Sequence, residues 1–476
     1  MSDFSFFWHD YETFGRVPRR DRPSQFAGVR TDADLNEVGE PVMVYCQPAP
    51  DTLPDPESCL LTGILPQQCL AQGLPEHRFA ATIEAELARP GTVGVGYNSI
   101  RFDDEVTRHL FWRNLLDPYA REYKNDCGRW DLLDTVRCMY ALRPEGIEWP
   151  RHEDGRPSFK LEHLSAANGL AHEAAHDALS DVRATIALAR LIRARQPRLF
   201  QFCLDLRKKD AVRHQLSLHA PQPLVHVSGM FGSERGNVAI VWPLAEHPSN
   251  KNEVLVWDLA HDPRELCGLS AEQVRERLFT RNEDLPAGVQ RLPLKSIHIN
   301  KSPFVCSKLA VLDDARAVEL GIDKALALQN AAHAATLPDL GALWKAVFRR
   351  EPGEVPDVDE NLYGGFVSYN DRRILNRLQQ LAAPALAAER PEFEDSQLAR
   401  LLWRYRARNF PHSLSAEESH HWQQWCEQKL RSGQPGGRSY HQFCQEIDAR
   451  LASATPAQAE VLKALQQWGR QLLGTD

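Results

Sequence analysis

Two acidic residues in the first strand-like segment stand out by their type and their spacing. Asp10 and Glu12 lie two residues apart in the run FSFFWHDYETF, whose apolar and aromatic composition predicts a β-strand. Side chains alternate across a strand, so both carboxylates are expected on the same face. Two neighbouring carboxylates repel each other unless a cation lies between them. The pair therefore indicates a divalent-metal site, and two exposed acids on an edge strand are the alternative.

A third acidic position follows the strand-like run TVGVGYNS. Asp103 comes five residues after Asn98, and Asp104 is its direct neighbour. Either aspartate could be a metal ligand, and either could instead cap the N-terminus of the helix that follows. The residues alone leave this choice open.

The motif HDALSD supplies a histidine and another carboxylate. His176 and Asp181 are five residues apart, which would place them on different faces of one helix. We therefore expect His176 just before a helix, Asp177 as its N-cap and Asp181 in its early turns. Asp181 could then bind a metal while His176 reaches over from a loop. An exposed loop histidine without a function is the alternative.

Carboxylates from distant segments, together with one histidine, suit a definite chemistry. Hard divalent cations prefer oxygen ligands, and two such ions held close together can hydrolyse a phosphodiester bond. An imidazole titrates near neutral pH, so it can accept the proton of a metal-bound water without strong tuning. These residue types therefore favour a metal-dependent phosphodiesterase.

Size and composition are those of an ordinary globular protein with several domains. The 476 residues predict about two to four domains, and the chain is 43% hydrophobic and 25% charged. A net charge of −8 argues against polyanion binding by the whole surface, but a local basic path would suffice for nucleic acid. The ten cysteines show no CxxC or zinc-like spacing, which predicts reduced thiols.

The chain start MSDFSFFWHDYE lacks the basic segment of a signal peptide and meets charged residues early. No apolar run approaches the ~20 residues of a membrane span. We therefore expect a cytoplasmic protein.

Three regions follow one another along the chain. The first ~190 residues have α/β character, with predicted strands before and after a polar turn at Asp32–Asn36 and helices over 76–89, 129–141 and 178–195. After a break near 196–197, short strand-like runs predict a small β-rich region. From about 360 the pattern is helical, and its last helix is expected to begin at Thr455 and Pro456 and to end at Gly474.

The order of the short motifs resembles a known family. Asp-x-Glu near the start, Asn-x₄-Asp about 90 residues on and His-x₄-Asp about 75 further are the signature of the DEDD exonucleases of the His-containing subclass. The chain is most similar to the bacterial exonuclease I family, which degrades single-stranded DNA from 3′ to 5′. The supporting stretches are HDYETFG, DRPSQFAGVRTD, GYNSIRFDDEVTR, RWDLLDTVR, YALRPEGIEWP, HVSGMFG, IHINKSP, LYGGF and YRARNFP.

This resemblance implies a fold of three parts around a C-shaped groove for single-stranded DNA. An α/β RNase H-like exonuclease domain is expected over residues 8–190. An SH3-like β-rich domain is expected over 197–350, and a C-terminal α-helical domain over 354–473. The breaks in the sequence pattern agree with this division.

The resemblance also implies roles for the acidic residues. Asp10, Glu12, Asp103 and Asp181 are expected to hold two Mg²⁺ ions, with Mn²⁺ as a substitute. His176 is expected to act as the general base, and Glu12 also to contact the terminal 3′-hydroxyl of the substrate. The resemblance further implies that the products are 5′-mononucleotides and that the activity belongs to DNA repair and recombination.

A single strand is gripped by cations on its phosphates and by aromatic faces under its bases. Similarity to exonuclease I places four residues along the strand, and Lys160 falls where the family commonly carries arginine. Two further lysines are chosen from basic stretches of the second region. The expected contacts are Arg108, Tyr119, Tyr123, Arg137, Lys160, Lys209 and Lys295. For each one alone, a solvated surface cation or a core tyrosine is the alternative.

Other functions remain compatible with these residues. The acids cannot distinguish DNA from RNA or from short oligonucleotides, although two additional domains favour a long strand. A DNA-binding scaffold without catalysis is a further alternative. The family also binds the acidic C-terminal tail of single-stranded DNA-binding protein, and it suggests a monomer.

Overall fold

The fold is that of a computed structural model, which describes residues 4–171, 177–349 and 356–474. Within these residues the strands are β1 Ser5–Thr13, β2 Pro23–Thr31, β3 Val42–Tyr45, β4 Thr92–Gly96, β5 Gly128–Asp131, β6 Leu224–Val227, β7 Val238–Glu246, β8 Glu253–Asp258, β9 Leu294–His298 and β10 Phe304–Cys306.

The α-helices of the described residues alternate with these strands at first and then follow one another without strands. They are α1 Pro56–Thr62, α2 Pro66–Gln72, α3 Glu76–Leu87, α4 Asp103–Arg113, α5 Leu132–Leu142, α6 Leu161–Ala167, α7 Ala178–Arg195, α8 Pro197–Asp205, α9 Lys209–Leu216, α10 Ala271–Phe279, α11 Asp314–Glu319, α12 Lys324–Ala334, α13 Gly341–Val347, α14 Tyr369–Gln379, α15 Ala383–Ala388, α16 Gln397–Asn409, α17 Ala416–Ser432, α18 Tyr440–Leu451 and α19 Pro456–Leu473.

The chain divides into two compact units. Unit 1 comprises Met1–Gly128, His172–Arg183 and Glu354–Asp476, and unit 2 comprises Arg129–Ala171 and Ala184–Gly353. The first unit thus combines the N-terminal α/β segment with the C-terminal helices. Helix α7 carries the chain from one unit into the other, with Asp181 in unit 1.

Strand β1 is central to the sheet of unit 1. It pairs antiparallel with β2 along its whole length and parallel with β4, which gives the strand order β3-β2-β1-β4. Phe6, Phe7 and Trp8 of β1 are buried, as expected for a strand covered on both faces. The prediction of an α/β first region with a mixed sheet is confirmed.

The sequence pattern misplaced one boundary in this region. The helix predicted over 129–141 begins only at Leu132, because residues 128–131 form strand β5. Asp131 is both the last residue of the strand and the N-cap of the helix. Its backbone is still extended, and its carboxylate accepts a hydrogen bond from Leu133 N–H at 3.0 Å. Apolar spacing marks the helix but does not show where a short preceding strand stops.

The C-terminal helix begins and ends where the sequence predicts. Thr455 caps α19 through a reciprocal capping box with Gln458, Pro456 occupies its first turn and Gly474 closes it with a left-handed backbone. Leu462 and Leu465 are fully buried. They share one hydrophobic core with residues of the N-terminal segment, among them Phe14 and Leu53. Burial of this apolar stripe therefore joins the two ends of the chain within unit 1.

A buried ion network joins the same two parts of unit 1. Asp359 accepts from Arg408 Nη2 at 2.5 Å and pairs with Arg404 at 3.1 Å and Arg22 at 3.5 Å. Arg408 also reaches Asp51 at 2.7 Å. The network also contains ion pairs of Lys429 with Asp51, of Asp357 with Arg404, and of Glu76 with both Arg22 and Arg113. Charges that are this deeply buried need their partners to offset the loss of hydration.

Unit 2 contains an antiparallel sheet with the strand order β10-β6-β7-β8-β9. Its strands are short, between three and nine residues long. The β-rich character expected for the second region is confirmed. Among the described residues, no helix is long and apolar enough to cross a membrane. All ten cysteines are free thiols, and six of them are buried.

The ion network gives a direct test of what holds unit 1 together. We expect Asp359→Asn to lower the free energy of unfolding by about 3–5 kcal/mol, because it leaves buried guanidinium groups without a counter-charge. Urea unfolding at neutral pH measures the change. Glu427→Gln is the matched control, since Glu427 pairs with Arg431 at 2.9 Å on an exposed helix face. That change should lower the free energy of unfolding by less than about 0.5 kcal/mol. Equal effects of the two variants would show that the buried network stabilises unit 1 no more than an exposed ion pair does.

Candidate metal centre

Strand β1 sets the positions of Asp10 and Glu12. Between them, the Tyr11 side chain points into the core, where its hydroxyl lies 2.9 Å from that of Thr107 on α4. The alternation of the strand then leaves the two acids together on the opposite, half-buried face. The sheet register places Asp10 opposite Ala27 and Glu12 opposite Gln25, followed by an irregularity that ends regular pairing.

Helix α7 brings Asp181 to the same place. The predicted capping residue is confirmed, since Asp177 Oδ2 accepts from Ser180 N–H at 3.1 Å just before the helix begins. Asp181 lies in the first turn. One carboxylate oxygen from each of Asp10, Glu12 and Asp181 lies within 4.8 Å of the other two. Three residues far apart in sequence thus offer a set of oxygen ligands suited to a hard divalent cation.

Burial and mutual repulsion raise the pKa values of Asp10 and Glu12. Burial, followed by the charge of Asp181, raises the pKa of Asp10 to about 8. Burial, followed by the charge of Asp10, raises the pKa of Glu12 to about 9. Protonation is one way to relieve this repulsion, and a cation bound between the oxygens is another. The donor set therefore fits a divalent metal ion.

The structure distinguishes the two aspartates that the sequence leaves open. Asp104 is fully buried and bound to Arg121 at 2.5 Å, so its charge is already compensated. Asp103 is the first residue of α4, and its Oδ1 accepts from Tyr11 N–H at 3.1 Å. Burial and then the nearby charge of Asp10 hold the pKa of Asp103 well above its usual range. Asp103 therefore stands beside Asp10, although it is outside the closest group of three.

The general base expected from the sequence, His176, lies outside the described residues. Asp177, its neighbour in sequence, follows directly and adds to the negative charge that raises the pKa of Glu12. The role of His176 therefore stays a prediction.

Three of the expected DNA contacts lie in unit 1. The Arg108 side chain is only 6% exposed and binds Glu122 and Glu105, each at 2.7 Å. It also lies 5.3 Å from the centre of the half-buried Tyr119 ring. These pairs engage the Arg108 guanidinium within the protein, and the contact of Arg108 with DNA stays a prediction. Tyr123 is 64% exposed and presents a free aromatic face.

The other four expected contacts lie in unit 2. The Lys160 side chain is 61% exposed and lies 3.4 Å from a Glu162 carboxylate oxygen. Arg137 binds Asp134 at 2.7 Å and lies close against Gly229, where a Cβ would meet the guanidinium carbon at 2.9 Å. The remaining two are Lys209, which donates to Asn252 at 3.0 Å, and the half-buried Lys295, whose pKa burial lowers. Contact with DNA remains a prediction for each.

Sequence reasoning missed the two groups that arrange the aspartates. The Tyr11 backbone N–H donates a hydrogen bond to Asp103, while Arg121 pairs with Asp104 and compensates its charge. The first contact is not visible in sequence, because any residue between two strand acids has a backbone N–H. The second had a weak signal, since an arginine 17 residues after an aspartate indicates no pairing by itself.

Comparison with known proteins covers the whole chain. The sequence models of three domain families match in succession. They are an exonuclease family over residues 7–189, the exonuclease I SH3-like domain over 207–350 and the exonuclease I C-terminal domain over 356–472. Exodeoxyribonuclease I of Haemophilus influenzae is 44% identical to this chain over 480 residues, with both chains fully covered.

The chain belongs to the exonuclease I family. The fold expected from the sequence is thereby confirmed, with an RNase H-like exonuclease domain, an SH3-like domain and a helical C-terminal domain.

Two solved structures of exonuclease I show what its relatives bind. The zinc-bound form of the complex of the Escherichia coli enzyme with single-stranded DNA has a TM-score of 0.92 and 41% identity, and it covers 99% of this chain and 100% of the other. An ExoI/SSB-Ct complex has a TM-score of 0.92 and 41% identity with the same coverage.

Asparagine substitutions at Asp103 and at its neighbour Asp104 test the electrostatics of the site. In EDTA at pH 8 we expect Asp103→Asn to stabilise the protein by about 1–3 kcal/mol, because it removes an acid whose ionisation is opposed by burial and by the Asp10 charge. The amide keeps an oxygen for Tyr11 N–H. Asp104→Asn should instead destabilise it by about 3–5 kcal/mol, because Arg121 loses its buried partner. Thermal unfolding of the two isosteric variants measures both changes.

The pH dependence of the Asp103 effect follows from its raised pKa. The folded state retains a proton that the unfolded state loses above ~3.9, so Asp103 lowers stability as pH rises through this window. The advantage of Asp103→Asn should therefore shrink toward pH 4. An advantage that is independent of pH would contradict the assigned cause.

Proposed function

We propose that this member of the exonuclease I family degrades single-stranded DNA from 3′ to 5′ and releases 5′-mononucleotides with the help of two Mg²⁺ ions. The observation that carries the proposal is the convergence of Asp10, Glu12 and Asp181 within 4.8 Å, with Asp103 beside Asp10. Carboxylates with strongly raised pKa values suit cations better than they suit acid–base work alone.

The protein's own residues divide the work of hydrolysis. Asp10, Glu12, Asp103 and Asp181 hold the metal ions, with Mn²⁺ as a substitute for Mg²⁺. The ions supply Lewis acidity and a water that ionises near neutral pH. His176 removes a proton from the attacking water. Glu12 also contacts the terminal 3′-hydroxyl of the substrate. The rigid strand β1 and the first turn of α7 keep these groups in place.

The proposal for the substrate rests on the relatives and on the open side chains of this chain. The Escherichia coli enzyme forms a complex with single-stranded DNA, and this chain covers its full length. We propose contacts by Tyr123 and Lys160, whose side chains are exposed, and by Tyr119, Arg137, Lys209 and Lys295. The same proposal includes Arg108, whose guanidinium also lies 5.3 Å from the centre of the Tyr119 ring. The division into domains over 8–190, 197–350 and 354–473 belongs to the same proposal.

A partner follows from the family as well. Because a relative forms an ExoI/SSB-Ct complex, we propose that this chain binds the acidic C-terminal tail of single-stranded DNA-binding protein. Such binding would bring the nuclease to the single strands that arise in DNA repair and recombination.

Digestion of end-labelled strands tests the activity and its direction. With Mg²⁺, we expect a 5′-labelled single strand to shorten progressively and a 3′-labelled one to release labelled mononucleotide at once. Duplex DNA and a matched RNA strand should be degraded much more slowly, and EDTA should stop the reaction. Early loss of a 5′ label as mononucleotide would reverse the proposed polarity, and equal rates on RNA would remove the preference for DNA.

Two variants separate metal binding from proton transfer. Asp181→Ala should abolish turnover even with excess Mg²⁺. His176→Ala should keep DNA binding and lower the single-turnover rate about 10²–10⁴-fold, the usual contribution of a positioned general base. His163→Ala is the matched control. A near-normal rate for His176→Ala would take that residue out of the mechanism.

A further inference from the structure

Helix α4 begins with Asp103 and is fixed to strand β1 along one of its faces. Asp103 and Thr107 are four residues apart, so they lie on the same side of the helix. Asp103 accepts from Tyr11 N–H at 3.1 Å, and the Thr107 hydroxyl lies 2.9 Å from that of Tyr11. These contacts connect the acid at the start of α4 to the strand that carries Asp10 and Glu12.

A second face of α4 is fixed to the segment 117–123 of the same unit. Asp104 and Arg108 are also four residues apart and lie one turn from each other. Asp104 accepts from Arg121 Nη2 at 2.5 Å, and Arg108 binds both carboxylate oxygens of Glu122, at 2.7 and 2.9 Å. Two adjacent residues of the segment thus hold two successive turns of the helix.

The segment 117–123 also carries two of the aromatic residues proposed to contact the DNA strand. Tyr119 directly precedes the 3₁₀-helix Ala120–Glu122, and Tyr123 directly follows it. The two anchors on α4 therefore lie between these tyrosines in sequence. They connect the aromatic residues to the helix that begins with Asp103.

The guanidinium of Arg121 lies where the elements around the metal centre meet. The Arg121 side chain is 1% exposed and that of its partner Asp104 is 2% exposed, so the pair has almost no contact with solvent. On strand β4, a Cβ added to Gly94 would come within 3.2 Å of Arg121 Nη1 and 3.5 Å of His9 Nε2. His9 directly precedes Asp10 on β1. Glycine on β4 therefore leaves the room that this buried guanidinium occupies beside β1 and α4.

This buried pair contributes more to position than to stability. Nε and Nη1 of Arg121 have no acceptor among the described residues, so part of the cost of burying the guanidinium is not recovered. Replacing a buried ion pair by apolar residues of similar volume is often neutral or stabilising. A hydrogen-bonded pair differs from such an apolar contact in having a direction, since hydrophobic burial is non-directional. The pair of Arg121 with Asp104 thus fixes the orientation of the first turn of α4.

We propose that Arg121 is a positioning residue of the metal centre. By holding Asp104 it sets the orientation of the first turn of α4 and with it the position of Asp103. The same contact keeps the segment of Tyr119 and Tyr123 in a fixed relation to the metal ligands. This role rests on the proposed function, which assigns Asp103 to the metal ions and the two tyrosines to the DNA strand.

Mn²⁺ affinity, measured without DNA, tests the role of Arg121. Arg121→Met removes the guanidinium but keeps a long side chain. We expect Mn²⁺ binding to weaken about 10-fold or more, the usual effect of losing a residue that orients metal ligands. The electron paramagnetic resonance signal of free Mn²⁺ measures this, at a temperature where circular dichroism shows the variant to be folded. Arg121→Lys keeps the charge without the planar fork and should recover part of the affinity.

Arg404→Met is the matched control for the loss of a buried guanidinium. Arg404 forms a similarly buried ion pair with Asp357 in the same unit, and neither residue belongs to the carboxylate cluster. We expect this variant to lose thermal stability in EDTA, as Arg121→Met does, but to keep the Mn²⁺ affinity of the unmodified protein. Equal weakening of Mn²⁺ binding in the two variants would trace the effect to general destabilisation and overturn the proposal.

A double variant separates position from stability and guards against a single variant that fails to fold. Arg121→Met combined with Asp104→Leu replaces the ion pair by an apolar contact, so the thermal midpoint in EDTA should return close to that of the unmodified protein. Mn²⁺ binding should stay about 10-fold or more weaker, because an apolar contact does not orient the first turn of α4. Recovery of both quantities would show that the pair only stabilises the fold, and it would overturn the proposal.

Steady-state digestion of single-stranded DNA gives the readout on the reaction. Arg121→Met should lower kcat about 10-fold or more and change KM less, because Glu122 and Arg108 still hold the segment of Tyr119. A change in KM alone would overturn the proposal.

The two kinds of measurement distinguish failure of the nuclease function from failure of the role of Arg121. An unmodified protein that binds Mn²⁺ but leaves DNA intact would remove the nuclease function, and weaker Mn²⁺ binding by Arg121→Met would still support the positioning role. Normal digestion by the unmodified protein, together with unchanged Mn²⁺ affinity of Arg121→Met, would remove the role of Arg121 alone. An unmodified protein that binds no Mn²⁺ would overturn both.

Discussion

Repulsion among buried carboxylates is the constraint around which unit 1 is organised. Asp10, Glu12 and Asp181 meet within 4.8 Å, and burial raises the pKa of the first two to about 8 and 9. A fold would not gather such groups for stability, because each one would be better solvated apart from the others. The arrangement makes sense when a divalent cation supplies the missing positive charge, and that is the chemistry of phosphodiester hydrolysis.

The rest of unit 1 serves to keep this unfavourable cluster in place. The Tyr11 side chain points into the core between the two acids of β1, and its hydroxyl contacts Thr107 of α4. Its backbone N–H donates to Asp103, also of α4, so Tyr11 joins β1 to that helix. Behind the strand, the C-terminal segment is fixed by a shared apolar core and by the Asp359 ion network. Within the part of the chain that the structure describes, the C-terminal helices thus place no residue in the carboxylate cluster itself.

Local patterns determined strand β1, helices α7 and α19, and the residue types of the site. Alternation in HDYETF places Asp10 and Glu12 on one face, and the Asp177 cap follows from the start of α7, because both depend only on near neighbours in the chain. Tertiary structure decided which of Asp103 and Asp104 is available, because Arg121 and Tyr11 make that choice from 17 and 92 residues away. It also decided that Arg108 is buried against Glu122 and that Arg22 meets Asp359, since ion pairs between distant segments leave no periodic trace in a sequence.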